Sequence, residues 1–430
     1  MIRIGLLMLL FSLPIHANVG MAWDNEVALR VNYGHGLESD ASNAAMLEVV
    51  PDLSFVMNAS TRFRVSARLR GDQRDLLQPG QPEFDSYHHS TRPWVIDDKW
   101  SAEVRDAYVE ILLKESTFRI GKQQIVWGAL DGVKVLDVLN PQSFEQFILE
   151  DFSHSRIGLW SAYADVSLGG WRTELAVIPD TTTHYLPEAG AWFEFTAPRY
   201  RFGAEHEATG LQLEHSRSSG LGAVGLRMSR YVKGIDLQLV AVSGLSFEPL
   251  GRLTVEQGTP VLTTYHQRRR LYGLGLETSF SAFALRAELS YSPDQPFNTR
   301  DNQGLDEVRL THLRGGIGLD WNAPFGVFVN WQWLYDSVGA APDPLIREDQ
   351  EQLVTMFLRK NFLYDTLGVE LRWYRSLNQR DRLSRLLLSY QVSDTTQVAF
   401  AIDHFAGHPG GAFGQFDPRD QISLQITHTF

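Results

Sequence analysis

Cysteine is missing altogether from the 430 residues. That absence removes disulfides, thiolate zinc sites, iron–sulfur clusters and cysteine nucleophiles together, and it suits an oxidising compartment, where a stray thiol is a liability. Long apolar runs are missing too. Beyond residue 22 the apolar stretches are short and interrupted by Arg, Glu, Asp, Gln or Ser, so none supplies the roughly twenty apolar residues that a membrane-spanning helix requires. Basic charge is in deficit, 39 Lys and Arg against 51 Asp and Glu for a formal net charge of −12. This argues against a nucleic-acid binder, because phosphate binding rests on a dominant basic surface. The length suits two or three soluble domains or one large β-barrel, and composition alone does not choose.

What is present begins with a leader. Over residues 1–22, Arg3 supplies a positive start, Ile4 to Leu13 an apolar stretch, Pro14 a break, and Ala17, Gly20 and Ala22 small residues for cleavage. This is the layout of a secretory signal peptide; the apolar stretch, about ten residues, is half of what a helical anchor needs. The expected organisation is therefore a signal peptide at 1–22 and a single domain at 23–430. If the exported chain meets a membrane again, strands must do it.

Alternation of period two recurs along the rest of the chain. In Arg62-Phe63-Arg64-Val65-Ser66-Ala67-Arg68-Leu69-Arg70 the odd positions are apolar and the even ones polar or basic. Phe283, Leu285, Ala287, Leu289 and Tyr291 alternate with Arg286, Glu288 and Ser290, and Val327, Val329, Trp331, Trp333 and Tyr335 with Asn330 and Gln332. A soluble sandwich alternates as well. These windows, however, approach the nine to eleven residues of a tilted transmembrane strand. Aromatics such as Trp160, Trp171, Trp321, Trp333, Tyr335, Trp373 and Tyr390 gather near the ends of the apolar faces, where an interfacial girdle belongs. Short turns at 169–170, 322–324 and 393–395 take turns with long polar connections near 71–100, 128–155, 179–207, 293–306, 337–350 and 406–419. That asymmetry is expected of an outer-membrane barrel in a Gram-negative bacterium.

The last strand, Gln421–Phe430, puts Ile422, Leu424, Ile426 and Phe430 on one face and stops at the aromatic. It resembles the terminal signature of bacterial outer-membrane proteins, and the resemblance implies that the barrel-assembly machinery reads Phe430 as its assembly signal. The windows come to an odd number, whereas single-chain bacterial barrels have an even one. The weakest, 209–217, carries the pattern only at Leu211 and Leu213. Without it the expectation is an all-β, antiparallel, up-and-down transmembrane barrel of about eighteen strands, with sixteen as the alternative.

In a barrel of that size the inward face lines water. Arg62, Arg64, Arg68 and Arg70 then form a basic row on the wall, with Arg286, Glu288, Arg314, Glu370, Arg372 and Arg385 as further inward charges. Such a row favours anionic or amphipathic solutes; the competing reading is that these charges pair across neighbouring strands. The stretch 128–155 breaks the strand rhythm. Asn140 and Pro141 read as a helix N-cap and first position, and Phe144, Phe147 and Ile148 as one apolar stripe of a short helix. Folded inward as a constriction loop, this segment leaves Glu145, Glu150 and Asp151 facing water.

The run Gly121-Lys122-Gln123-Gln124-Ile125-Val126-Trp127-Gly128, followed by Asp131-Gly132, Leu136 to Gln142, Phe147 to Asp151 and Ser155-Arg156-Ile157, resembles a proteobacterial outer-membrane family known as domain of unknown function 1302. The detailed likeness covers residues 121–157. It implies a porin-like barrel and, as partner, an inner-membrane exporter of the resistance-nodulation-division type handling hydrophobic or amphipathic cargo. It carries no catalytic residues.

The leading expectation is an outer-membrane channel for a small anionic or amphipathic solute, in contact with outer-membrane lipid, with no nucleic acid, cofactor or metal. A structural or adhesive surface barrel is the alternative, with Asp85, Tyr87, His88 and His89 its most conspicuous loop cluster. Two His and one Asp are too few and too loosely spaced for a metal site. A hydrolase is the weakest reading. Asp151, Ser153, His154 and Ser155 bring nucleophile and base types together, but neighbours on one stretch seldom converge, and no Gly-x-Ser-x-Gly elbow lies nearby.

Overall fold

The computed structural model describes residues 22–39, 41–201, 212–301, 304–341 and 344–430. The leader expected at 1–22 lies outside them except for Ala22, at which the first strand begins. The strands run in chain order β1 (Ala22–Gly36), β2 (Ala41–Asn58), β3 (Thr61–Asp72), β4 (Trp94–Asp97), β5 (Trp100–Leu113), β6 (Ser116–Gln123), β7 (Leu159–Leu168) and β8 (Trp171–Ile178). They continue as β9 (Gln212–His215), β10 (Ala223–Val232), β11 (Ile235–Leu245), β12 (Leu250–Glu256), β13 (Thr259–Tyr265), β14 (Arg268–Phe280), β15 (Phe283–Asp301) and β16 (Gly304–Ala323). The last are β17 (Val327–Val338), β18 (Gln350–Phe362), β19 (Leu367–Ser376), β20 (Arg382–Ser393), β21 (Thr396–Ala406) and β22 (Gln421–Thr429).

Eighteen of these form one closed antiparallel barrel, each paired with the barrel strands before and after it in the chain and β1 closing on β22 from Ala28↔Thr429 to Gly36↔Gln421, while the short β4 adds to β5. Closure gives each of the eighteen barrel strands a partner on both sides, which is the condition for a sheet to stand in hydrocarbon. The alternation is inside out relative to a soluble protein. On β15 the apolar Leu289 is 43 % exposed while its neighbour Ser290 is 4 % exposed, and on β17 Trp331 faces out between the buried Asn330 and Gln332. A sheet with its greasy side outward and its polar side within is stable only against lipid. No helix among the described residues is long and apolar enough to cross a membrane.

The even count follows from the weakest window. Within 209–217, β9 pairs in parallel with β13 in a separate three-stranded sheet with β12, apart from the barrel; residues 209–211 lie outside the described ones. The window 293–306 departs from the expected loop: β15 and β16 continue through it as a tall hairpin. Pro293 and Pro296, which suggest a loop, fall at or beside the register shift between Ser292 and Gln295, where a lost ladder hydrogen bond is tolerated. At the end where β1 begins and β22 stops the turns are tight. Gly169-Gly170 and Lys233-Gly234 carry positive φ at both central residues, the twist a two-residue hairpin demands. At the same end Phe280, Phe283 and Trp321 stack at ring separations of 5.6 and 5.9 Å, one arc of an aromatic girdle.

Candidate functional site: a loop laid across the lumen

The chain between β6 and β7 leaves the wall at Gln123 and rejoins it at Leu159, which is Gln123's partner in the ladder. Asn140 closes the neck. Its Oδ1 accepts from the Ile125 amide at 2.8 Å, and its Nδ2 donates to the Ile157 carbonyl at 2.7 Å and the Gln123 carbonyl at 3.3 Å. Pro141 contributes its carbonyl to the Ile157 amide at 2.9 Å. The pair read from sequence as a helix start is thus a staple between the loop's two ends.

From that neck one lobe reaches the wall of β8, β10 and β14 to β17. The fully buried Trp127 donates to Glu174 on β8 at 2.7 Å and packs against Gly225 on β10, where an added Cβ would come within 2.7 Å of the ring. Leu136 occupies the space over Gly273, and Leu130 that over Gly316 and Gly318. Glu288 on β15 accepts from three loop amides, those of Ala129, Leu130 (3.2 Å) and Leu136 (3.0 Å). Arg286 reaches Asp131 at 3.2 Å, and Gln332 donates to the Asp131 carbonyl at 2.5 Å. The glycines and Glu288 work together: missing side chains on the inward faces leave room for the lobe, and one carboxylate orders its backbone.

The second lobe reaches the facing wall. Arg70 on β3 holds Glu145 at 2.5 Å and Arg68 holds Glu150 at 3.1 Å. Arg385 on β20 donates to the Leu149 carbonyl at 2.9 Å, and Arg372 on β19 lies 3.8 Å from Asp151. Phe147 packs among Phe195, Phe405, Phe413 and Phe416, so the connections 186–200 and 407–420 fold down onto it. The helix expected over 141–148 does not form. Gln142 and Ser143 are drawn into bridges with Arg156 and Tyr185, and Phe147 takes φ 52°, so cross-chain pairing overrides the local periodicity. The loop's one helical turn is Phe152–Ser155.

Two charge expectations need correction. Glu145 does not face water: it is 3 % exposed, and burial pushes its carboxyl above the ordinary value against the pull of Arg70. Nor is the arginine row uniform. Arg62 and Arg64 are exposed, Arg64 paired with Asp52 at 2.6 Å. Arg68, Arg70 and Arg105 are buried and half-buried Arg30 joins them among Glu48, Glu103, Glu145 and Glu150; contacts include Arg68–Glu103 at 2.6 Å, Arg70–Glu48 at 2.6 Å and Arg105–Glu103 at 2.9 Å. Four guanidinium groups meet four carboxylates, so that half of the row is neutralised. The other wall charges are also engaged: Arg314 with Asp336 at 3.0 Å, Glu370 with Arg372 at 3.0 Å, Arg286 with Asp320 at 2.7 Å and Arg385 with Asp403 at 3.5 Å.

Two cavities flank the second lobe. One, of about 760 Å³, meets its aromatic side at Phe144, Phe147 and Ile148, together with the wall of β14 to β19. The other, of about 440 Å³, meets its acidic side at Glu145, Glu150 and Asp151 and runs down β1, β2 and β19 to β22. The cluster considered for hydrolysis does not assemble: Ser153 Oγ lies 3.3 Å from His154 Nδ1, while Asp151 is directed to Arg372. In the surface cluster Asp85 pairs with Arg217 at 2.8 Å and the His88 and His89 rings lie 4.2 Å apart, tilted by 51°. Phe430 is exposed at the end of the closing strand, its amide donating to the Val27 carbonyl at 3.0 Å. Sequence reasoning missed Gly225, Gly273, Gly316 and Gly318 as loop-seating residues; glycines at inward positions of otherwise regular strands were the available signal.

Comparison with known proteins agrees with this architecture. The chain is similar in fold to OccK8 (OprE) of Pseudomonas aeruginosa, with a TM-score of 0.54 at 10 % identity over 95 % of this chain and 98 % of that one. It is similar also to OccAB3 of Acinetobacter baumannii (0.52, 10 %, 95 % and 99 %) and to P. aeruginosa OpdK solved with vanillate (0.51, 10 %, 95 % and 98 %). At such identity the likeness is one of fold. No curated protein matches. Residues 68–310 match the family described as "Protein of unknown function (DUF1302)". Barrel, neighbours and family agree: the chain is a porin-like barrel of the Gram-negative outer membrane and belongs to the DUF1302 family.

Proposed function

We propose that the barrel is a channel for a small amphipathic solute, preferentially anionic, and that the segment 128–155 is its constriction. The observation that carries this reading is the segment's attachment to opposite walls, with a cavity on each side of it. A pore that only needed to stay open would have no use for inward glycines and a buried carboxylate to seat a loop. Selective passage needs a narrow site with few well-placed charges. The neutralised half of the arginine row shifts the anion preference away from β3, and the aromatic flank of the loop supplies the apolar half of an amphipathic site. No bond chemistry is assigned to the protein.

An inner-membrane exporter of the resistance-nodulation-division type is the proposed partner, outer-membrane lipid the proposed surround, and the barrel-assembly machinery the proposed reader of Phe430. Liposome swelling tests the channel. Proteoliposomes should admit small aromatic acids faster than neutral sugars of the same mass. Equal rates for both, or no swelling beyond empty liposomes, would count against it.

A further inference from the structure

The larger cavity has an uneven charge inventory. Five cationic side chains line it, and among the described residues four of them have a carboxylate within ion-pair reach: Lys134 with Asp137 (3.2 Å), Arg199 with Glu351 (2.8 Å), Arg314 with Asp336 (3.0 Å) and Arg347 with Asp336 (2.7 Å). The fifth, Arg269 at the start of β14, has none. Its only hydrogen-bond partner among the described residues is the neutral side chain of Gln295, 3.1 Å from Nη1. Glu248, in the connection between β11 and β12, lies 3.9 Å from Arg199 and attracts Arg269 only from beyond ion-pair reach.

Two fixed surfaces meet in this space. The loop presents Phe144, Phe147 and Ile148, and Phe195 extends that wall with ring contacts of 5.9 Å to both phenylalanines. His184 adds no charge: it stands edge-on to Phe144 at 5.2 Å, accepts the Gln142 amide at 2.9 Å, and burial pushes its imidazole down to about 3. A partly buried guanidinium with spare donors favours an anionic oxygen, and an adjoining aromatic wall favours a flat apolar body. The volume, about 760 Å³, is of the size that holds small organic ligands.

We infer that this cavity is a binding site for an amphipathic organic monoanion, its carboxylate on Arg269 and its aromatic or alicyclic body against Phe144, Phe147 and Phe195. The inference rests on the channel reading for its biological sense but not for its test. The probe is 3-phenylpropionate, titrated calorimetrically into the purified full-length protein in detergent, beside 3-phenylpropan-1-ol and acetate. Wild type should bind the acid more tightly than the alcohol, and acetate least. Arg269→Gln should weaken acid binding roughly tenfold, the size of one lost charge-assisted hydrogen bond, and leave the alcohol unchanged, which also reports that the variant is folded. Arg269→Lys should restore much of the loss. Equal weakening of acid and alcohol, acetate binding as well as the phenyl acid, or no binding of the acid by wild type would overturn the assignment. Conductance of the same preparation separates the two ideas: a conducting barrel that ignores 3-phenylpropionate sinks the site alone, and a silent barrel that binds it sinks the channel alone.

Discussion

Glu288→Ala removes a single wall carboxylate and should release the lobe that it holds. Glu288 is 4 % exposed and accepts from the amides of Ala129, Leu130 and Leu136, two of them at 3.2 and 3.0 Å. Hydrogen bonds to a charged acceptor contribute about 1.5 to 3 kcal/mol each, but lumen water replaces part of that, so about 1 kcal/mol per bond is the defensible figure. Three bonds then come to roughly 3 kcal/mol, or about a hundredfold in the balance between the seated and released lobe. The barrel itself should survive, since its strands pair independently of this contact. Hydrogen exchange read on peptides covering 129–136 should show protection lowered by about two orders of magnitude, with strands β15 and β16 unchanged. Glu288→Gln, which keeps one acceptor oxygen, should fall between. Unchanged protection in Glu288→Ala would refute the claim that this residue orders the loop.

Further consequences follow from the same geometry. Arg70→Gln strands Glu48 and Glu145 in a buried site and should cost about 3 to 5 kcal/mol, seen as a lower temperature for loss of the heat-modifiable band on gels. Gly225→Val places a branched side chain where the Trp127 ring lies; the expected cost is about 1 to 3 kcal/mol, with a red shift in tryptophan emission as the ring is pushed toward water. Leu289→Arg puts a charge on the lipid face and should impair insertion by about 2 to 4 kcal/mol, whereas Leu289→Ile should be silent in the same refolding titration. Burial, then the guanidinium groups of Arg30, Arg105 and Arg68, lower the His154 imidazole from 6.5 to about 4. A depressed basic group contributes stability fully above its unfolded value and loses it as the pH falls. The thermal midpoint of wild type should therefore drop more between pH 6.5 and 4 than that of His154→Gln; parallel curves would contradict this.

Much of the fold was legible because a membrane barrel writes each strand as an alternation and each closure as an even count. Leu289 beside Ser290 is such a pair, and Leu211 and Leu213 alone could not sustain a wall strand. The segment that leaves the wall between β6 and β7 was legible as a break in that rhythm. Its conformation was not, because Phe144, Phe147 and Ile148 have helical spacing while the backbone of Gln142, Ser143 and Phe144 is claimed by Arg156 and Tyr185 from elsewhere in the chain. Strand parity puts Arg68 and Arg70 on the polar face of their strand, but gives no sign that the loop brings Glu145 and Glu150 to meet them. Arg269 carried no local signal, since lacking a carboxylate within ion-pair reach among the described residues is a property of the folded surroundings.

Single-channel current across planar bilayers tests the central claim most directly, comparing the wild-type protein with a variant in which residues 129–139 and 142–155 are each replaced by short Gly/Ser linkers. The account predicts small, solute-sensitive current steps for wild type and larger, unselective ones for the variant. Identical steps from the two proteins, or no current from either, would contradict it.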